Sequence, residues 1–116
     1  MEKVKKLEAN QSYFISHIGN NDEVIFREQE NCRYFAGLME KHIYPVAQIL
    51  DCEMHLNRLE IKVRIRPEEE IPEKYRTRIY QPFSNLFNSY TKAFNKRYDR
   101  TGSLFRVRFK REEIIE

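Results

Sequence analysis

Residues 58–66 alternate strictly between apolar and charged side chains, and this pattern constrains the fold more than any other in the chain. A β-strand points successive side chains to opposite faces, so strict alternation predicts a strand with one face in the core and one in solvent. The apolar positions are Leu59, Ile61, Val63 and Ile65, and the charged positions are Arg58, Glu60, Lys62, Arg64 and Arg66.

Three further strands and two helices follow from periodicity. Strands are predicted over residues 13–18, 46–56 and 105–109, and helices over about 27–44 and 82–98. The second strand should place Leu50, Cys52, Met54 and Leu56 on one face, with a turn near Leu56-Asn57 leading into residues 58–66. In the last strand, Phe105, Val107 and Phe109 should face the core, and Arg106, Arg108 and Lys110 should face outward.

The order of these elements, β-α-β-β-α-β, predicts an α+β fold of the ferredoxin-like type, with both helices packed on one face of the sheet. We expect an N-terminal extension over residues 1–11, one domain over 12–111 and a C-terminal tail over 112–116. A chain of 116 residues is long enough to bury one core without disulfide or metal support.

No apolar run approaches the roughly 20 residues that span a bilayer, and the N-terminus lacks the apolar core of a secretory signal. We therefore expect a cytoplasmic protein with no membrane partner. Cys32 and Cys52 have neither redox-motif nor zinc-ligand spacing. Two buried thiols are expected, although spacing alone leaves a disulfide open.

Positive charge is concentrated in residues 76–111, which contain ten Lys and Arg and one acid, Asp99. Aromatic residues are interleaved with these cations, and basic groups beside aromatic rings can neutralise phosphates and stack on bases. Helical spacing assigns most of the rings to the core instead. The cations Arg106, Arg108 and Lys110, flanked by Lys92 and Lys96 on the helix, predict a nucleic-acid surface.

Enzymatic sites are poorly supported. The three histidines, His17, His42 and His55, are not paired at metal-ligand spacing. Asp51 and Glu53 share a predicted strand face with His55, but residues along one strand diverge, so a solvated polar face is favoured over a metal site. No nucleophile elbow and no glycine-rich phosphate loop is present.

Residues 83–98 (FSNLFNSYTKAFNKRY), 100–105 (RTGSLF) and 109–111 (FKR), with the early loop at 19–21 and Ile25-Phe26, closely resemble the REP-associated tyrosine transposases. These are single-tyrosine HUH nucleases of bacterial insertion elements. The resemblance covers about residues 13–111. It implies a bacterial protein, and a fold used to cut and rejoin single-stranded DNA beside small hairpins.

The sequence departs from that family at both parts of its chemistry. The family binds a divalent ion with two histidines separated by one residue, and the matching positions here are Arg58 and Glu60. An arginine cannot ligate a cation, and one carboxylate makes a poor site. The family's nucleophilic tyrosine lies on a helix after the last strand, and this sequence ends five residues after Arg111. We therefore expect no catalytic residue, no metal or other cofactor, and no enzymatic activity.

The function predicted from the sequence is binding of single-stranded or hairpin DNA by a catalytically inactive transposase-like protein. The predicted contacts are Lys92, Lys96, Arg100, Arg106, Arg108, Lys110 and Arg111. The alternative is a protein-interaction or self-association remnant, such as a homodimer, that does not bind DNA. A third hypothesis keeps residual metal-dependent nuclease activity that uses Glu60 or Tyr90.

Overall fold

The computed structural model describes residues 5–115 and contains four strands and two long helices. Three one-turn 3₁₀ helices lie in the connections, at Asn20–Asp22, Glu68–Glu70 and Glu73–Tyr75. The main elements are β1 (Ser12–Ile18), α1 (Gln29–His42), β2 (Ala47–Met54), β3 (Arg58–Ile65), α2 (Tyr80–Arg97) and β4 (Lys110–Ile114).

The four strands form one sheet in the order β2-β3-β1-β4, with every neighbouring pair antiparallel. Both helices pack against this sheet, and this arrangement is compatible with a ferredoxin-like fold. The α+β class and the element order predicted from the sequence are confirmed. None of the described helices is long and apolar enough to cross a membrane.

The alternation in β3 has the predicted consequence. Its apolar side chains are all fully buried beneath the helices, while Arg58 and Arg64 are exposed on the opposite face. β3 pairs with β1 along seven residues, from Ile18 opposite Arg58 to Ser12 opposite Arg64. The core side of β1 is therefore fixed as well, because paired residues point to the same face.

The face predicted for β2 is only half right. Its register shifts between Ile49 and Asp51, so Leu50 lies in a bulge and is exposed. Met54 is the last residue of the strand, and Leu56 lies in the hairpin turn with 69% of its surface exposed. A bulge moves the following side chains out of simple alternation, which explains the departure. Cys52 and Cys32 are both half-buried free thiols.

The start of α1 is stabilised by side chains that accept hydrogen bonds from backbone N–H groups. The side chains of Glu28 and Asn31 form a reciprocal capping box, in which the Asn31 amide oxygen accepts the Arg27 and Glu28 N–H groups at 2.8 and 3.0 Å. This bonding accounts for the burial of Asn31. Tyr34, on the same helix, is half exposed.

α2 supplies the largest share of the aromatic core. It begins two residues before the predicted start, and Pro82 lies in its first turn, where a missing N–H is tolerated. The buried stripe contacts both the sheet and α1, and it consists of Pro82, Phe83, Leu86, Phe87, Tyr90 and Phe94. The expectation that these rings are core groups rather than base-stacking groups agrees with their burial.

The last strand predicted from the sequence is misplaced. β4 runs over Lys110–Ile114 instead of residues 105–109, and it pairs with β1. It therefore crosses the boundary predicted between the domain and a tail at residue 112. In the predicted N-terminal extension, Leu7 is buried and the Tyr13 hydroxyl accepts the Glu8 N–H at 2.9 Å. Residues 1–4 and 116 of the predicted end segments lie outside the described residues.

Candidate nucleic-acid interface

A two-residue bulge interrupts the pairing of the C-terminal chain with β1. It lies between β4 and an isolated β-bridge formed just after the end of β1. Gly19 lies opposite Phe105, and Ser16 lies opposite Lys110. The three steps from Ser16 to Gly19 are thus matched by five steps from Lys110 back to Phe105. The two extra residues cannot join the ladder, so the backbone around Val107 and Arg108 bulges out of the sheet.

The segment at the bulge carries exposed cations and one exposed apolar side chain. Arg106, Arg108 and Lys110 are all exposed, as predicted, but Val107 is 97% exposed instead of facing the core. No carboxylate among residues 5–115 lies within ion-pair distance of these three cations. We call Arg106, Val107, Arg108 and Lys110 the bulge surface.

Buried aromatic rings anchor the bulge from both ends. Phe105 and Phe109 flank it and insert into the core, with ring centroids 5.1 and 5.6 Å from that of Phe87. The Arg106 N–H also donates to the carbonyl of Ile18 at 3.0 Å. The exposed cations therefore lie on a segment that is anchored to the core at both ends, and not on a free loop.

Two of the predicted DNA contacts are only partly exposed. Arg100 bonds the Glu23 carboxylate at 2.5 Å and also donates to the side-chain oxygen of Asn95. Arg111 points to the helix side of the sheet, since it lies opposite Ile15, and it is half-buried. Arg100 thus ties the chain after α2 to the loop before α1.

Lys92 and Lys96 are exposed on α2, one helical turn apart. Asn88 lies one helical turn before Lys92 and is also exposed. Asn88 lines a cavity between α2 and residues 102–109, and Arg106 and Val107 line the opposite wall. The flanking position predicted for the two lysines is therefore compatible with the observed placement of α2 beside the bulge surface.

The cavity between α2 and the bulge, about 630 Å³, contains a buried histidine. His17 is 6% exposed, and its ring stacks on Phe105 at 4.6 Å and meets Phe87 edge-on at the same distance. Burial lowers the pKa of His17 from 6.5 to about 4. At neutral pH this imidazole is uncharged, and it gives the cavity a polar wall without adding to the positive charge.

The shifted histidine predicts a pH dependence of folding. Below pH 6.5 the unfolded chain binds a proton at His17 and the folded chain does not until about pH 4, so the free energy of unfolding should fall as pH falls through this window. A shift of this size corresponds to about 3 kcal/mol. Urea unfolding between pH 7 and pH 4.5 should show a smaller decrease for His17→Phe than for the wild type. Equal decreases in both proteins would contradict the assignment.

The uncovered face of the sheet carries charges of both signs. Lys110 lies opposite Ser16, which lies opposite Glu60 on its other side, and Arg58 pairs with Glu60 at 3.3 Å. The ring of Phe14 is partly exposed on this face. The alternation in β3 had already predicted that Arg58 and Lys62 point outward. The sequence therefore indicated a second set of outward cations, and in the structure their positive charge is offset by neighbouring acidic residues.

Three potential metal ligands converge at the end of this face. Glu53, His55 and Glu60 each offer one ligand atom, and these atoms lie within 4.8 Å of one another. The group differs from the predicted trio because Asp51 lies opposite Lys62 while Glu53 lies opposite Glu60. Carboxylate oxygens and an imidazole nitrogen suit divalent ions. The Arg58 guanidinium competes for Glu60, so a bound ion would have to displace that ion pair.

Tyr90 has a structural role in the core. Its ring is fully buried, its hydroxyl donates to the Ile25 carbonyl at 2.5 Å, and burial raises its pKa well above the ordinary value. A phenol in this state is neither accessible nor easily ionised, so it is unsuited to attack a phosphodiester.

No family model matches the chain, and no curated protein matches it in sequence. The chain is similar in structure to a REP-associated tyrosine transposase bound to a REP hairpin, with a TM-score of 0.63 and 10% sequence identity. The match covers 100% of this chain and 64% of that protein's chain. At this identity the similarity shows a shared fold.

Proposed function

We propose that this protein binds single-stranded or hairpin DNA through the bulge surface, with Lys92 and Lys96 as flanking contacts. The observation that carries the proposal is the set of three exposed cations, Arg106, Arg108 and Lys110, held on an anchored segment with no ion-pair partner in the described chain. Like charges held together repel, and a phosphate backbone relieves that repulsion while releasing its own counterions.

The contacts available at this surface favour backbone binding over base recognition. Guanidinium and ammonium groups neutralise phosphates and position a strand. Asn88, Thr91 and Ser103 line the adjacent cavity and offer hydrogen-bonding groups to sugars or unpaired bases. The fold similarity to a hairpin-bound transposase supports a DNA partner in general terms, and we propose that the chain is a degenerate relative of that family.

We further propose that the protein binds DNA without cutting it. The family's histidine positions are occupied by Arg58 and Glu60, which are paired with each other, and Tyr90 is buried. Incubation of a labelled hairpin with the protein and manganese or magnesium should leave the strand intact. Cleavage that is lost in Glu60→Gln would overturn this part of the proposal and assign the nearby ligand group to catalysis.

Binding should depend steeply on salt. For about four phosphate contacts, the association constant for a short DNA hairpin should fall roughly 50- to 150-fold between 50 and 200 mM NaCl. Fluorescence anisotropy across this range measures the slope. An absence of binding at 50 mM salt, or an affinity that does not change with salt, would contradict the proposal.

Self-association is the second candidate function. β2 and β4 are the two edge strands of the sheet, and the fully exposed Val107 lies beside the β4 edge. Edge strands and exposed apolar groups are the usual elements of strand-to-strand pairing. Light scattering distinguishes the two functions, because a stable dimer that hides the bulge surface and fails to bind a hairpin would favour assembly.

A further inference from the structure

A second cavity, about 500 Å³, shares Ser84, Val107 and Phe109 with the cavity that His17 lines. Three separate parts of the chain enclose it: residues 5–7, residues 77–84 at the start of α2, and residues 107–111. Its apolar floor is formed by Leu7, Ile79 and Phe109, which are all buried. Tyr80, which is partly exposed, lies at its edge.

The charged residues that line this cavity are all cations. They are Lys5, Lys6, Arg78, Arg108 and Arg111. Lys5 is paired with Glu113 at 2.8 Å, while the other four have no ion-pair partner among residues 5–115. Five cations gathered from three parts of the chain, with no lining carboxylate, contrast with the mixed charges of the uncovered sheet face.

Arg111 is the most unusual of these cations. Its guanidinium lies over the Phe109 ring at 4.1 Å, and its Nε is buried without a hydrogen-bond partner. Burial and, secondarily, the nearby charge of Arg108 lower the pKa of Arg111. A half-buried guanidinium, that of Arg111, and an exposed one, that of Arg108, thus lie near each other, which favours an anion that accepts several hydrogen bonds.

The start of α2 adds to the positive potential. Its first turn contains no acidic side chain, and no side chain caps it. No side-chain carboxylate therefore offsets the partial positive charge of this helix end, and its Gln81 N–H is bonded to the Arg78 carbonyl at 3.0 Å. The hydroxyls of Thr77, Tyr80 and Ser84 also line the cavity and can donate hydrogen bonds.

We propose that this cavity binds a phosphate group of a nucleic acid strand. A phosphate offers several acceptor oxygens to forked arginine donors, and the apolar floor beside Tyr80 suits the attached nucleoside. Arg108 belongs both to this cavity and to the bulge surface, so one strand can pass from one to the other. The identification of a strand as the source of the phosphate rests on the proposed function, whereas the phosphate site itself does not.

The test uses Lys6→Gln with Arg78→Gln, two exposed cations of the cavity outside the bulge surface. The control is Arg33→Gln, an exposed residue of α1. Inorganic phosphate is titrated into each protein while amide shifts of residues 77–80 and 107–111 are followed by NMR. Saturable shifts are expected in the wild type and the control and should be lost in the double variant. An absence of saturable shifts in the wild type would overturn the site.

A second measurement identifies the source of the phosphate. The double variant should bind a DNA oligonucleotide at least tenfold more weakly than Arg33→Gln does. Unchanged oligonucleotide affinity with lost phosphate binding would overturn the strand assignment and leave a site for free phosphate. Phosphate binding by a wild type that binds no oligonucleotide would instead refute the proposed function alone.

Discussion

Removing two charges from the bulge surface, in R106Q/R108Q, is expected to weaken hairpin binding by about 40-fold at 100 mM salt. Each lost phosphate contact also removes about one counterion from the salt dependence, so the slope of log K against log salt should flatten by about 1.5. Both side chains are exposed and lie outside the β1–β4 ladder, so the fold should tolerate the change. Anisotropy titrations at four salt concentrations measure both quantities.

The matched control removes the same charge from another part of the molecule. R33Q/K41Q changes two exposed cations of α1 and lowers the net charge equally. A nonspecific effect of net charge would weaken both variants alike. The proposal requires the α1 variant to lose less than threefold, and equal losses in the two variants would remove the bulge surface from the interface.

The second large effect concerns the ring that joins the bulge to the core. Phe87→Ala should lower the free energy of unfolding by about 3–5 kcal/mol. Phe87 is buried, and its ring contacts those of His17, Phe105 and Phe109, so the substitution leaves a cavity where β1, α2 and the bulge meet. Urea unfolding followed by circular dichroism measures the loss.

Tyr34→Ala is the control for that measurement. Tyr34 is half exposed on α1, and its ring lies 6.5 Å from that of Tyr90 between centroids. It should lower the free energy of unfolding by less than about 1 kcal/mol. A comparable loss in the two variants would show that the cluster around Phe87 is not a special anchor of the bulge.

The parts of this fold that sequence predicts are those determined by local pattern. Alternation in β3 identifies its core face, and helical spacing identifies Phe83, Phe87 and Phe94 as core residues of α2. The misplaced last strand has a different cause. Residues 105–109 alternate as well as β3 does, but the pairing of Phe105 with Gly19 conflicts with the register of β4, and only the folded sheet reveals the conflict.

The candidate interface shows the same division. Sequence marks Arg106, Arg108 and Lys110 as outward cations because their apolar neighbours repeat every second residue. It cannot distinguish these from Arg100, whose carboxylate partner, Glu23, is 77 positions earlier in the chain. The cavity proposed to bind phosphate was also beyond prediction, because it assembles Lys6, Arg78 and Arg108 from segments that meet only after folding.

The face that β4 presents is set by its register with β1 and not by the length of the bulge. Lys110 and Glu112 lie opposite Ser16 and Phe14 on the uncovered side, while Arg111 and Glu113 lie opposite Ile15 and Tyr13 beneath the helices. The single extra residue of β2 shows the same independence, because Ile49 before it and Cys52 after it lie opposite Val63 and Ile61 on one face of β3. Insertions between Arg106 and Phe109 are therefore expected to lengthen the bulge surface without turning β4 over.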